Sequence, residues 1–192
     1  MGTRNRLKNV VVLALGLAGL ALGQRMEVHL DPSRTQVNFT LGDVLHTVHG
    51  VFKLKSGDIW FDRFNGQAGG QIIVNALSGE SGNESRDSRM HKNILESAMF
   101  PDIVFVPNRI DGKVNLEGDS EVTLHGQLTI HGGTHELGVN IKVHVDHGRL
   151  ASSVEFPVPY VKWGMKNPST LFLRVKDSVE IGIQASGELT TP

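Results

Sequence analysis

The 192-residue chain contains no cysteine. That excludes disulfides, so the fold must be held by its own core, and it excludes a thioether-linked lipid anchor. The chain has no second long apolar run after the one near its start, so no later segment can cross a membrane as a helix. It has no excess of positive charge, with 19 basic against 20 acidic residues, which argues against a nucleic-acid partner. No phosphate-binding P-loop, dinucleotide-binding glycine pattern or His-Glu-x-x-His pair occurs. The nearest approach to a nucleophile elbow, Gly79-Glu80-Ser81-Gly82-Asn83, lacks the final glycine and the strand-to-helix setting. Acidic pairs occur, but none in an apolar context that would tune a pKa for catalysis. Enzymatic chemistry is therefore the least supported class.

What is present begins with the N-terminus. Arg4, Arg6 and Lys8 precede thirteen uninterrupted apolar or glycine residues from Val10 to Leu22, and Ala21-Leu22-Gly23 supplies small residues before Gln24. These are the three parts of a secretory signal peptide, and the apolar run is short of the roughly 20 residues of a spanning helix. Residues 1–23 are expected to be removed, leaving residues 24–192 as one exported domain in the periplasm or outside the cell. The mature portion carries 16 basic and 20 acidic residues, a net charge of −4. Its 169 residues suffice for one hydrophobic core.

Alternation of apolar and polar residues dominates from Thr35 onward, the period-2 signature of half-buried strands. Val37, Phe39 and Leu41 form one row. Phe52 and Leu54 form another; Gly57-Asp58 then reads as a turn before Ile59 and Phe61. Ile72, Val74 and Ala76 follow, then an apolar strand from Asp102 that should stop at Pro107, with Pro107 to Gly118 as a hairpin connection. Val122, Leu124, Leu128 and Ile130 alternate with polar residues, as do Leu137, Val139, Ile141, Val143 and Val145. Val179, Ile181, Ile183 and Ala185 close the series. With eight or nine strands, close turns, no βαβ rhythm and no repeat, the chain is all-β and antiparallel, a barrel or a sandwich.

One stretch breaks the pattern. Ser85 to Phe105 is charged, starts among the helix-capping residues Ser81, Asn83 and Ser85, and places Met90, Ile94 and Leu95 near one helical face. This predicts a short helix near residues 84–95, with Met90, Ile94, Met99 and Phe100 facing the core and Arg86, Arg89 and Lys92 facing elsewhere. Two readings fit it: a plug completing the core, or a lid over a cavity. Arg86-Asp87 likewise has two: a structural clamp on the preceding loop, or Arg86 holding the polar head of a ligand.

Nine histidines invite a metal reading. His131 and His135 are separated by glycines; His125 and His131 share a strand face about 20 Å apart. Neither pair suits one ion. His46, His49 and His91 are the set that could still meet in space. No metal and no cofactor is expected.

The order of motifs resembles the YceI-like family. The resemblance is carried by "SGNESRDSRMHKNILESAMFPDIVF" with its Arg86-Asp87 pair and Phe100-Pro101 turn, by His46, Gly50 and Phe52 in "VHGVFKLKSGDIWFD", by "LHGQLTIHGGTHEL", and by "WGMKNPS" before "VKDSVEIGI". It spans about residues 30–187. Where the family has an aromatic pair before the proline turn, this chain has Met99-Phe100, and "LGDVLHTVHG" also departs from the usual first loop. The resemblance implies an antiparallel, lipocalin-like β-barrel of about eight strands that binds a long isoprenoid or related amphiphile and is not an enzyme.

On that reading the apolar rows become the wall of a ligand channel: Val37, Phe39, Phe52, Leu54, Ile72, Val74, Phe105, Leu128, Ile141 and Ile181, with Met90, Ile94 and Phe100 from the helical stretch and Arg86 at the mouth. A tail with ten buried carbons would gain roughly 8 kcal/mol before association costs. The partner expected is a long-chain isoprenoid or other amphiphilic lipid, and a homodimer is compatible with it. A filled barrel serving as a structural or stress-related partner-binding module is the alternative, because a dry core and an apolar channel share one sequence pattern. An enzyme acting on a bound lipid is a third.

Overall fold

The long alternating runs become long strands. The computed structural model describes residues 25–42, 47–170 and 174–191; the expected signal peptide lies outside the described residues. Nine strands follow in order: β1 Arg25–Leu30, β2 Gln36–Gly42, β3 Thr47–Asp62, β4 Ala68–Glu80, β5 Asp102–Asp111, β6 Gly118–Ile130, β7 Gly133–Asp146, β8 Arg149–Val158 and β9 Val179–Thr190. A helix, α1 (Glu84–Arg89), and a π-helical turn, Met90–Ile94, lie between β4 and β5. Every pairing among these strands is antiparallel.

Eight positions close the barrel. The order runs β3-β2-β9-β8-β7-β6-β5-β4, and β4 returns to β3. β1 and β2 share one position, end to end between the same neighbours. β2 pairs with residues 47–52 of β3 and 180–184 of β9, while β1 pairs with 58–62 and 187–190. Asp31 makes the break between them: its carboxylate accepts from the Ser33 amide at 2.9 Å and the Ser33 hydroxyl at 2.6 Å. Closure gives every position a neighbour on both sides, although residues 133–140 of β7 pair only with β6.

Three expectations change. β1 was not anticipated, although Met26, Val28 and Leu30 alternate with Arg25, Glu27 and His29; Asp31-Pro32-Ser33 cuts the run too short to stand out. The turn expected at Gly57-Asp58 is absent, and β3 runs straight through. Gly57 instead lets Leu30 of β1 approach closely, since a Cβ there would lie 2.7 Å from the Leu30 side chain. β5 also continues past Pro107 to Asp111. Pro107, buried and without an N–H, sits at a register shift in the β5–β6 ladder, where no donor is required.

The barrel is packed at one end. Met26, Val28, Phe61, Val114, Val122, Val143, Val145, Leu150 and Leu189 form one buried cluster, fed by β1 and by one end of β3, β6, β7, β8 and β9. Toward the other end the row of β6 and the side chains of Val139 and Val158 stay buried, but the rows of β7 and β8 become mixed. On β7, Val143 and Val145 are buried while Leu137 and Ile141 remain half-buried; on β8, Leu150 is buried while Val154 and Phe156 are half-buried. Inward-facing side chains left half-buried border open space.

Truncation should report this difference. Met26 is 1% exposed, so Met26→Ala is expected to cost about 2–5 kcal/mol in urea unfolding. Ile181→Ala, at a half-buried inward position, only enlarges existing space and should cost less than about 2 kcal/mol.

Candidate functional site

The open half of the barrel holds an apolar cavity of about 650 Å³. The division between cavity and packed end repeats strand by strand. Leu124, Leu128 and Ile130 of β6 line it while Val122 does not; Val179, Ile181 and Ile183 of β9 line it while Leu189 does not. The cavity therefore ends blind on the packed cluster. An eight-position barrel is just wide enough inside for side chains or one small ligand, and here each use takes one half.

Of the fourteen residues nominated from the sequence, Val37, Phe39, Phe52, Ile72, Val74, Arg86, Met90, Ile94, Phe105, Leu128, Ile141 and Ile181 lie on the cavity wall. Leu54 and Phe100 do not. Leu54 is buried in a packed cluster with Val37 and Val74. Phe100 folds away with the turn after the helix, its ring 5.2 Å from that of His131 and seated on Gly132. Met99, expected to face inward, is 72% exposed.

The helical stretch covers the mouth. Asn83 caps α1 by accepting from the Arg86 amide. The helix then widens: the Leu95 amide bonds to the Met90 carbonyl, five residues back. This i→i+5 closure brings residues four and five apart onto one side, so Met90, Ile94 and Leu95 all face the cavity. Gly79 of β4 makes room beneath, because a Cβ there would lie 2.5 Å from the Phe52 ring and 2.8 Å from the Met90 methyl. His91 fastens the stretch to the barrel. Its Nε2–H donates to the Gly79 carbonyl at 2.8 Å, which leaves Nδ1 to accept from the buried Ser97 hydroxyl at 2.9 Å. His131, in the β6–β7 turn rather than on a strand face as expected, reaches Glu96 at 3.0 Å.

Arg86 and Asp87 clamp the loop before the helix. Arg86 donates through Nε to the Ser81 hydroxyl at 2.7 Å and through Nη2 to the Ser81 carbonyl at 2.8 Å. The Asp87 carboxylate accepts from the Ser81 amide at 3.0 and 3.1 Å and also from its hydroxyl. Partial burial raises the Asp87 pKa, but the Ser81 bonds and the neighbouring Arg86 outweigh it and hold the carboxyl below its ordinary value.

Further wall residues were not nominated from the sequence. Tyr160 and Met165 come from the 159–170 segment, which has no periodicity to mark them, and pack with Leu95, Ile130 and Val158. The Tyr160 hydroxyl donates to the Lys176 carbonyl at 2.7 Å. Burial, with Asp177 nearby, raises its pKa to about 12, so the phenol is neutral at ordinary pH. Arg89, expected to face away like Arg86, also lies on the wall.

Of the three histidines that the sequence left free to meet in space, His46 lies outside the described residues. His91 has both ring nitrogens engaged, and His49 bonds the Thr40 hydroxyl at 3.1 Å. Glu117, Asp146 and His147 do cluster, at the end of β7 and the adjoining turns; there Asp146 binds His147 at 2.6 Å and Arg149 at 2.8 Å.

A closed antiparallel barrel with a short covering helix and a blind apolar cavity is a lipocalin-like architecture. The YceI-like domain family model matches residues 29–186, and the chain belongs to that family. Among solved structures, Burkholderia cenocepacia BcnA is similar at 17% identity and a TM-score of 0.68, covering 84% of this chain and 99% of its own. A polyisoprenoid binding domain from Saccharophagus degradans implicated in plant cell wall breakdown is similar at 15% identity and a TM-score of 0.66, covering 86% of this chain and 98% of its own. The Campylobacter jejuni YceI protein follows at 14% identity and a TM-score of 0.52, covering 72% of this chain and 81% of its own. No curated protein matches the sequence significantly.

The Asp87 clamp makes a pH prediction. A carboxyl whose folded pKa is depressed adds stability above its unfolded pKa and loses it as pH falls through the folded value. Asp87→Asn should cost about 1.5–3 kcal/mol near neutral pH. The gap between the two proteins should close as pH falls below the ordinary carboxyl value of 3.8. Chemical unfolding at a series of pH values checks it; a gap independent of pH would show that the Asp87 charge contributes nothing.

Proposed function

We propose that the protein is an exported carrier for an amphiphilic lipid such as a polyisoprenoid, holding the tail in the open half of the barrel without covalent chemistry. The observation that carries this is the blind cavity of about 650 Å³ with its apolar wall, within the size range of ligand pockets. The similarity to a domain described as polyisoprenoid binding supports the ligand class. Among the described residues on the wall there is no His, Asp, Glu or Lys, so no side chain there serves as an ordinary general base, which favours binding over catalysis. Release of residues 1–23 at Gly23 would place the mature chain in the periplasm or outside the cell, and no helix among the described residues is long and apolar enough to cross a membrane.

The helix acts in this reading as a lid rather than a core plug. Ile94 lines the cavity and stays half-buried, unlike the residues of the packed end. Ile94→Glu should lower stability by only about 1–2 kcal/mol and weaken uptake of a long-chain isoprenoid at least about tenfold, because a carboxylate at the tail's position must be desolvated. Native mass spectrometry of delipidated wild type and variant reads both occupancies. A folded wild type that takes up no isoprenoid or other amphiphile would overturn the carrier reading and leave the barrel as a structural or partner-binding module.

A further inference from the structure

The charged residues on the cavity wall are few and of one sign. Among the described lining residues, Arg86 and Arg89 are the charged ones, and no Asp or Glu is among them. They are three apart in sequence, so they share a helical face, and that face meets the mouth where Ser81, Asn83 and Ser85 complete a polar rim. The two guanidinium groups differ in employment. Arg86 is committed to Ser81 through two bonds and has Asp87 as its neighbour. Arg89 has no hydrogen-bond or ion-pair partner among the described residues and stays exposed. Lys92, on the same helical stretch, is exposed but off the wall.

We propose that Arg89, seconded by Arg86, is an anion-recognising group, and that the amphiphile this barrel takes carries a negatively charged head, phosphate or carboxylate, on a single chain. The inference rests on the carrier reading and adds the identity of the head. The cavity is blind, so a single-chain amphiphile enters tail first and its head stops at the mouth. The head then lies against a guanidinium that is always charged and offers a planar fork of donors matched to phosphate or carboxylate oxygens. A neutral alcohol or phenol head would leave that charge without a counterion at the rim of an apolar cavity. The attraction is partly screened by solvent, so it should fade with salt.

The test uses three probes with one tail: geranylgeranyl monophosphate, geranylgeranoic acid and geranylgeraniol, each titrated calorimetrically into delipidated full-length mature protein. Wild type should bind the phosphate or the acid about tenfold more tightly than the alcohol at low ionic strength, with a smaller ratio at high salt. Which of the two anions binds more tightly distinguishes a phosphate from a carboxylate head. Arg89→Gln should bring the anion-to-alcohol ratio close to one, Arg89→Lys should keep part of it, and Lys92→Gln should keep all of it, with circular dichroism confirming the fold of each. Equal binding of alcohol and anions by wild type, or an unchanged ratio in Arg89→Gln, would overturn the anionic head while leaving the carrier intact. If none of the three probes binds folded wild type, the carrier reading itself fails.

Discussion

Closure of the hydrogen-bond ladder is the constraint on which the rest of this structure depends. With eight positions closed into a ring, every strand is held on both sides over part or all of its length, whether or not the interior is filled. A sandwich or bundle has no such independence, because its elements stay together only through the side chains between them. The barrel can therefore concentrate its packing at one end, around Met26, Val145 and Leu150, and leave the inward rows of the other end facing space. The closing position itself is split: β1 serves the packed end and β2 the open end, with the Asp31 turn between.

An open apolar interior is not free. At about 24 cal/mol per Å³, a rigid dry cavity of 650 Å³ would cost on the order of 15 kcal/mol, comparable to the whole stability of a typical domain. Such a space is tolerable only if it is wet, occupied, or able to contract. The covering stretch has the means to adapt, since Met90 is flexible and polarizable, and the π-helical turn is a geometry often found at functional sites. Its polar fastenings are local, at His91, Glu96 and the Ser81 clamp, beside the buried Leu95.

The all-β class and the interrupting helix were legible because each rests on periodicity. Rows such as Leu137 to Val145 repeat every second residue, and Met90 with Ile94 breaks that repeat. The family resemblance added closure, which alternation alone does not distinguish from a sandwich. Features without a period were not legible. Tyr160 and Met165 reach the cavity from irregular chain, and Arg89 is turned to the wall by a helix whose orientation depends on packing. Gly57 and Pro107 were misread for the opposite reason: both residue types usually mark turns, but here one admits a neighbouring side chain and the other sits at a bulge. Most important, Ile141 and Val143 look alike in sequence, yet Ile141 reaches the cavity from the edge of the packed cluster while Val143 is buried within it. Filling is a property of the whole interior and has no local signal.

The central claim is that a ligand tail occupies one half of the barrel and stops at the packed cluster. Methyl-resolved NMR on isoleucine-labelled protein, titrated with a long-chain isoprenoid, tests it directly. Resonances of Ile72, Ile94, Ile103, Ile141 and Ile181, all on the cavity wall, should shift at one binding stoichiometry, while those of Ile59 and Ile110, packed against the closed-end cluster, should stay in place. Equal shifts at Ile59 and Ile110, or shifts confined to outward-facing Ile73, would contradict the account.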